Sequence, residues 1–141
     1  MAVQNLEIIQ YALLKCNVID ENSSPSAEQG VTGLNVLNDM LLNEQRDGLN
    51  LGWYKQSNLA NNAPLHDADV YGVKMMLTRA LAAHYGIVLE PPLADTPGMP
   101  ESGEISKAHR QLVKRSLRMT ECDLGELSRS QGGPWGGPNW L

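Results

Sequence analysis

Residues 26–41 read Ser26-Ala27-Glu28-Gln29-Gly30-Val31-Thr32-Gly33-Leu34-Asn35-Val36-Leu37-Asn38-Asp39-Met40-Leu41. The apolar positions Ala27, Val31, Leu34, Leu37 and Met40-Leu41 recur at three- and four-residue spacing, the period of one helix face. Ser26 with Gln29 forms a capping box, or Ser24 caps with Pro25 in the first turn. Glu28 sits at the positive end of the helix dipole. The helix closes near Arg46, and Gly48 ends it. Gly30 and Gly33 each cost about 1 kcal/mol relative to Ala, which a closely packed neighbour would justify.

Working outward, the segment from Asn5 to Cys16 has the same period, with Leu6, Ile9, Leu13 and Cys16 on one face. Asn5 is the expected N-cap, and Asn17 suits the left-handed position that ends a helix. Asp20-Glu21-Asn22-Ser23-Ser24-Pro25 reads as a loop. A third helix is expected over 68–85, capped by Asp67, with the stripe Tyr71, Met75, Thr78, Leu81-Ala82 and Tyr85. Gly86 closes it. The linker 91–103 holds four prolines and two glycines and cannot be a helix. A fourth helix starts at Glu101 or Glu104 and runs to about Met119. Its apolar residues are Ile105, Ala108, Leu112-Val113 and Met119, and its polar face carries Lys107, Arg110, Lys114, Arg115 and Arg118. The fold class is therefore all-α: a bundle of about four helices.

Two segments break the period. Residues 49–66 begin with the alternation Leu49-Asn50-Leu51-Gly52-Trp53-Tyr54 and pass a turn at Asn61-Asn62-Ala63-Pro64. They read as a long extended loop or weak hairpin. A connection of this length is unusual in a compact domain; such loops are generally functional or disordered, and Trp53 and Tyr54 weigh against mere disorder. Residues 130–141 contain two Gly-Gly-Pro units bordering Trp135, followed by Asn139, Trp140 and Leu141. Such a segment suits a groove on a partner, because Trp buries a large area at modest entropy cost. The expected organisation is a helical domain over 1–120 and an extended arm over 121–141.

The chain has 141 residues and net charge −5, with 42% apolar residues, 5% aromatics and no Phe. It lacks any run approaching the ~20 apolar residues of a membrane span. Its first residues show no basic run followed by an apolar core, so no secretory leader is expected. Two cysteines cannot frame a disulfide scaffold, and a reducing compartment is expected. Acidic balance argues against non-specific grip on nucleic acid.

Candidates for chemistry are few. His66-Asp67-Ala68-Asp69 offers one His and two carboxylates to a divalent ion, against the plainer reading of helix capping. His84 and His109 read as surface or interface residues, and Cys16 as core. No nucleophile elbow, P-loop or H-E-x-x-H occurs. Glu44, Asp47, Glu101 and Glu104 are the acids from which a hydrolase pair would have to come. A helix-turn-helix regulator is disfavoured by the long connection between the first two helices. No catalytic residue, metal or cofactor is expected.

The run Tyr11-Ala12-Leu13-Leu14-Lys15-Cys16-Asn17-Val18-Ile19 resembles the opening helix and turn of bacteriophage head-to-tail adaptor proteins, the family that includes packaged-DNA stabilisation proteins of short-tailed phages. Leu34 to Leu41, followed by Asp47-Gly48-Leu49 and Gly52-Trp53-Tyr54, is similar to that family's second helix and the segment after it. Ala80-Leu81-Ala82-Ala83-His84-Tyr85-Gly86 resembles its third-helix ending. The likeness spans roughly residues 3–120; Asn17 stands where the family often has Gly, and the tail from 130 matches no family motif.

The resemblance implies a virion protein of the neck, made in the host cytoplasm. It implies a ring, twelve copies in register with the portal, that extends the DNA channel and carries the tail. Its partners would be the portal, a tail nozzle or tube protein and its own copies, with DNA passing without sequence-specific contact and no membrane involved. Carried over, Lys114, Arg115, Arg118, Trp135, Asn139, Trp140 and Leu141 would bind the portal. Leu49, Leu51, Trp53 and Tyr54 would meet a ring neighbour or the tail.

Overall fold

The computed structural model describes residues 3–116. It is a small all-α bundle of α1 (Asn5–Lys15), α2 (Ala27–Arg46), α3 (Asp67–Tyr85) and a fourth helix, α4, over 104–116. The arm boundary expected at 120–121, Met119 and the tail tryptophans lie outside the described residues. Among the described residues no strand forms; Gln4–Asn62 and Thr96–Met99 are isolated antiparallel bridges.

Local chemistry sets the helix ends. The Ser26 hydroxyl accepts from Gln29 N at 3.2 Å, and Gln29 Oε1 accepts from Ser26 N at 2.9 Å, the reciprocal capping box. Asn17 takes φ 60° after α1, and Gly86 takes φ 69° after α3, the left-handed turn expected at both ends. Two expected caps move by one residue. Gln4, not Asn5, precedes α1. His66, not Asp67, caps α3, its Nδ1 accepting from Ala68 N at 3.3 Å.

The buried face of α2 is Gly30, Gly33, Leu34, Leu37, Asn38 and Leu41. It is rotated from the expected stripe, leaving Val31 58% exposed. The glycines cause this. A Cβ at Gly33 would collide with Ile9 Cγ2 of α1, and one at Gly30 would stand 2.8 Å from Leu59 Cδ1. The glycines therefore mark the line of closest approach, and the apolar pattern alone misplaces it.

Helix α3 is the central element. It packs on both α1 and α2, and Leu112 of α4 sits on Gly72, where a Cβ would be 2.6 Å from Leu112 Cγ. Val73, Met75, Leu77, Thr78 and Leu81 are fully buried, while Tyr71 and Tyr85, expected on the stripe, are exposed. Cys16 is core as expected, its thiol donating to Thr78 O at 3.2 Å. Burial pushes that thiol's pKa up.

The linker before α4 holds that helix's start. Glu104 N donates to Pro92 O, and Ile105 N to Leu93 O. Asp95 Oδ1 accepts from Gly103 N and from Ser106 Oγ, each at 2.8 Å. These bonds hold the Asp95 carboxyl below its ordinary pKa, the Gly103 N–H contributing most.

Candidate functional site

The long connection after α2 is a strap pinned to the bundle. Asn38, 3% exposed on α2, binds it at three points. Its Nδ2 donates to Gln56 O at 2.8 Å. Its Oδ1 accepts from Gln56 N at 2.9 Å and from Trp53 Nε1 at 3.2 Å. Asn5, fully buried at the start of α1, donates to Gln56 Oε1 at 3.2 Å and to Asn58 O at 3.0 Å. The backbone N–H groups of Asn5 and Leu6 donate to Asn61 O and Leu59 O, and Ala63 N donates to Val3 O. First-turn donors of a helix lack intrahelical partners, and here the strap supplies two of them.

This geometry corrects two of the four expected interface residues. Leu49, 5% exposed, and Trp53, 3% exposed, belong to the chain's own core cluster. Trp53 is held there because its indole N–H finds an acceptor in Asn38. Leu51 is half-buried against the same cluster. Tyr54, 64% exposed, is the member of the group that faces outward.

The basic face of α4 divides in the same way. Arg115 Nη1 reaches Asp69 Oδ1 of α3 at 2.8 Å, and the Asp69 side chain is only 8% exposed. That arginine ties α4 to α3, a correction to its expected role as a free portal contact. Arg110 Nη1 lies 3.4 Å from Glu101 Oε2. Lys107 and Lys114 are exposed; seven residues apart on one helix, they share a face. Arg118, Trp135, Asn139, Trp140 and Leu141 lie outside the described residues.

The remaining candidates separate. His66 caps α3 and Asp69 pairs with Arg115, so the 66–69 cluster is spread over two duties. Among the described residues no group of three His, Cys, Asp or Glu side chains gathers as metal ligands would. Glu44 Oε2 lies 3.5 Å from His109 Nε2 and Glu101 beside Arg110, each carboxylate next to a different base. No described helix is long and apolar enough to cross a membrane.

One cluster was missed in the sequence. Lys15 Nζ and Lys74 Nζ approach the ring of Tyr11 at 5.5 and 4.9 Å from its centroid, within cation–π range. Exposed Tyr71 is near. Burial, then the charge of Glu104, raises the pKa of both tyrosines. The i, i+4 pair Tyr11/Lys15 was the available signal; Lys74, 63 residues further along, gave none.

Compared with known families and curated proteins, the chain matches no family model and no curated sequence.

Proposed function

We propose that this chain is a structural virion protein, a head-to-tail adaptor of a short-tailed phage. It assembles as a ring under the portal, extends the DNA channel, helps retain packaged DNA and offers the tail its platform. The supporting observation is where the resembling residues sit. Ala12, Leu13 and Cys16 are core and Asn17 makes the turn after α1. Leu34, Leu37, Asn38 and Leu41 form the buried face of α2. Trp53 seats the strap, and Leu81, Ala82 and Gly86 pack and end α3. Many of the residues that carry the resemblance are thus ones that build this bundle.

On this reading the portal contact keeps Lys114 and the segment that follows α4 and loses Arg115, which has a partner within the chain; exposed Lys107, on the same face as Lys114, is added to it. Tyr54 is the strap residue offered to a neighbour. Single contacts of this kind are weak, and a closed ring of arms multiplies them through effective concentration.

The test is sedimentation of the purified chain alone and with the portal protein of the same genome. The expected result is a slow, largely monomeric species that moves onto the portal when mixed. A chain that never co-sediments with the portal, or that forms a tight ring without it, overturns the reading.

A further inference from the structure

The end of α3, the linker and the start of α4 enclose a groove of about 360 Å³. Ala83, Ile87, Leu93 and Ile105 give it apolar walls, and Arg79 and Asp95 stand at its polar edge. That volume lies at the small end of the roughly 300–1,000 Å³ typical of ligand pockets, room for one aromatic side chain rather than a helix. The chain around it is acidic: residues 87–106 hold Glu90, Asp95, Glu101 and Glu104 and no Lys or Arg. Glu101 is answered by Arg110. Asp95 is held as a carboxylate by Gly103 N and Ser106 Oγ. Arg79 is exposed, a flat cation suited to stacking on an aromatic face.

The matching knob is on the strap. Among the described residues the large apolar side chains left exposed are Val31, Leu42, Tyr54, Tyr71, Tyr85, Val88 and Met99. Of these, Tyr54 alone has a Lys or Arg and no Asp or Glu within four positions along the chain. Its cation is the adjacent, exposed Lys55, and residues 48–66 hold no acid at all. Tyr54 is 64% exposed, yet its backbone is fixed: Trp53 and Gln56 on either side bond to Asn38, and Tyr54 O accepts from Gln56 Nε2. An aromatic ring presented on fixed backbone loses little freedom on docking.

Tyr54 is kept from the groove of its own chain. The strap reaches α4 at Ser116, whose Oγ accepts from Asn50 N, whereas the groove touches α4 at Ile105 and Ser106. Ten residues of helix, about 15 Å, lie between. A strap pinned on both sides of Tyr54 does not cross that distance.

We infer that the groove between α3 and α4 receives Tyr54 and Lys55 of a second copy of this chain. The Tyr54 ring enters between the apolar walls, Arg79 covers its face, and Lys55 meets the acidic edge at Asp95. Knob and groove are different surfaces, so the contact is head-to-tail, the kind that builds a ring when its rotation closes. One aromatic anchor and one ion pair fall far short of the ~1,200 Å² of a stable interface, so single pairs are weak. The contact rests on the adaptor reading only for its closure into a ring.

The experiment is sedimentation equilibrium of the full chain, carried up to millimolar concentration. The unmodified chain is expected to self-associate there, less so as salt rises. Tyr54→Ala and Ala83→Arg, both at exposed positions, should each weaken association about tenfold or more, the loss of one aromatic anchor. Mixed in equal amounts, the two variants should pair with the unmodified affinity, because one keeps its groove and the other its knob. That pair has no further site and stops at a dimer. An unmodified chain that stays monomeric at millimolar concentration overturns the inference. So do variants that associate like the unmodified chain, and a mixture that stays monomeric or grows past the dimer. Should Ala83→Arg lose its helical circular dichroism, Lys55→Glu decides, and association unchanged by it and by salt overturns the inference. A chain that pairs in this way yet ignores the portal sinks the adaptor reading and keeps the contact; Tyr54→Ala binding the portal as an unpaired protomer keeps that reading and removes the contact from it.

Discussion

Replacing Asn38 with Ala removes the hub that holds the strap. Three hydrogen bonds go at once: Nδ2 to Gln56 O, and Oδ1 from Gln56 N and Trp53 Nε1. Asn38, Gln56 and Trp53 are all buried, between 3% and 4% exposed, so water does not readily replace the lost partner. A satisfied bond of this kind contributes about 1 kcal/mol net, and a buried group left without a partner costs about 1–3 kcal/mol. Allowing for partial relaxation of the strap, the expected loss is about 3–5 kcal/mol. That is a large share of the roughly 5–15 kcal/mol available to a domain. In urea, with a slope near 2 kcal/mol per molar, the midpoint should fall by about 2 M. Trp53 reports the same event, since its indole loses its acceptor and its emission should shift toward that of a hydrated ring. Asn35→Ala, at an exposed position of the same helix, is the control and should change stability by less than about 0.5 kcal/mol. Equal midpoints for Asn38→Ala and Asn35→Ala would show that the strap is not held through Asn38.

Gly33→Ala should destabilise by about 1–3 kcal/mol despite the better helix propensity of Ala, because its methyl collides with the fully buried Ile9; thermal unfolding checks this, and a gain in stability contradicts it. Arg115→Ala should cost about 1–2 kcal/mol by stripping buried Asp69 of its partner, whereas Lys114→Ala should leave the melting temperature unchanged and weaken co-sedimentation with the portal. Asp95→Asn tests the α4 start through pH. The folded-state pKa of Asp95 is lowered, so its contribution is present above the ordinary aspartate value of about 4 and is lost as pH falls through the folded value. The melting-temperature gap between the unmodified chain and the variant should be open at neutral pH and narrow in acid; a gap that widens in acid contradicts the assignment.

What the sequence made legible was local. The Ser26/Gln29 box, the Asn17 turn and the Gly86 stop involve residues within a few positions of each other, and each lies where its pattern put it. Cys16 was readable as core from its place on the stripe. What escaped depended on distant partners. Trp53 reads as an exposed anchor until Asn38, 15 positions earlier, supplies its acceptor. Arg115 reads as a free cation until Asp69, 46 positions earlier, claims it. Asn5 reads as a cap because Asn often is one, yet here it serves strap residues more than 50 positions away. The rotation of the α2 face followed from glycines, whose contribution to packing is the volume they leave empty.

The stitching of the first helix to the strap has a consequence for synthesis. The first-turn donors of α1 await acceptors at residues 59 and 61, and Val3 awaits the amide of Ala63. A chain emerging from the ribosome therefore presents its opening helix well before the residues that complete it, and that helix is marginal alone at 11 residues. Vectorial folding has to pause until the middle of the polypeptide has cleared the exit tunnel, and a stalled nascent chain shorter than this should leave its leading helix open to proteases.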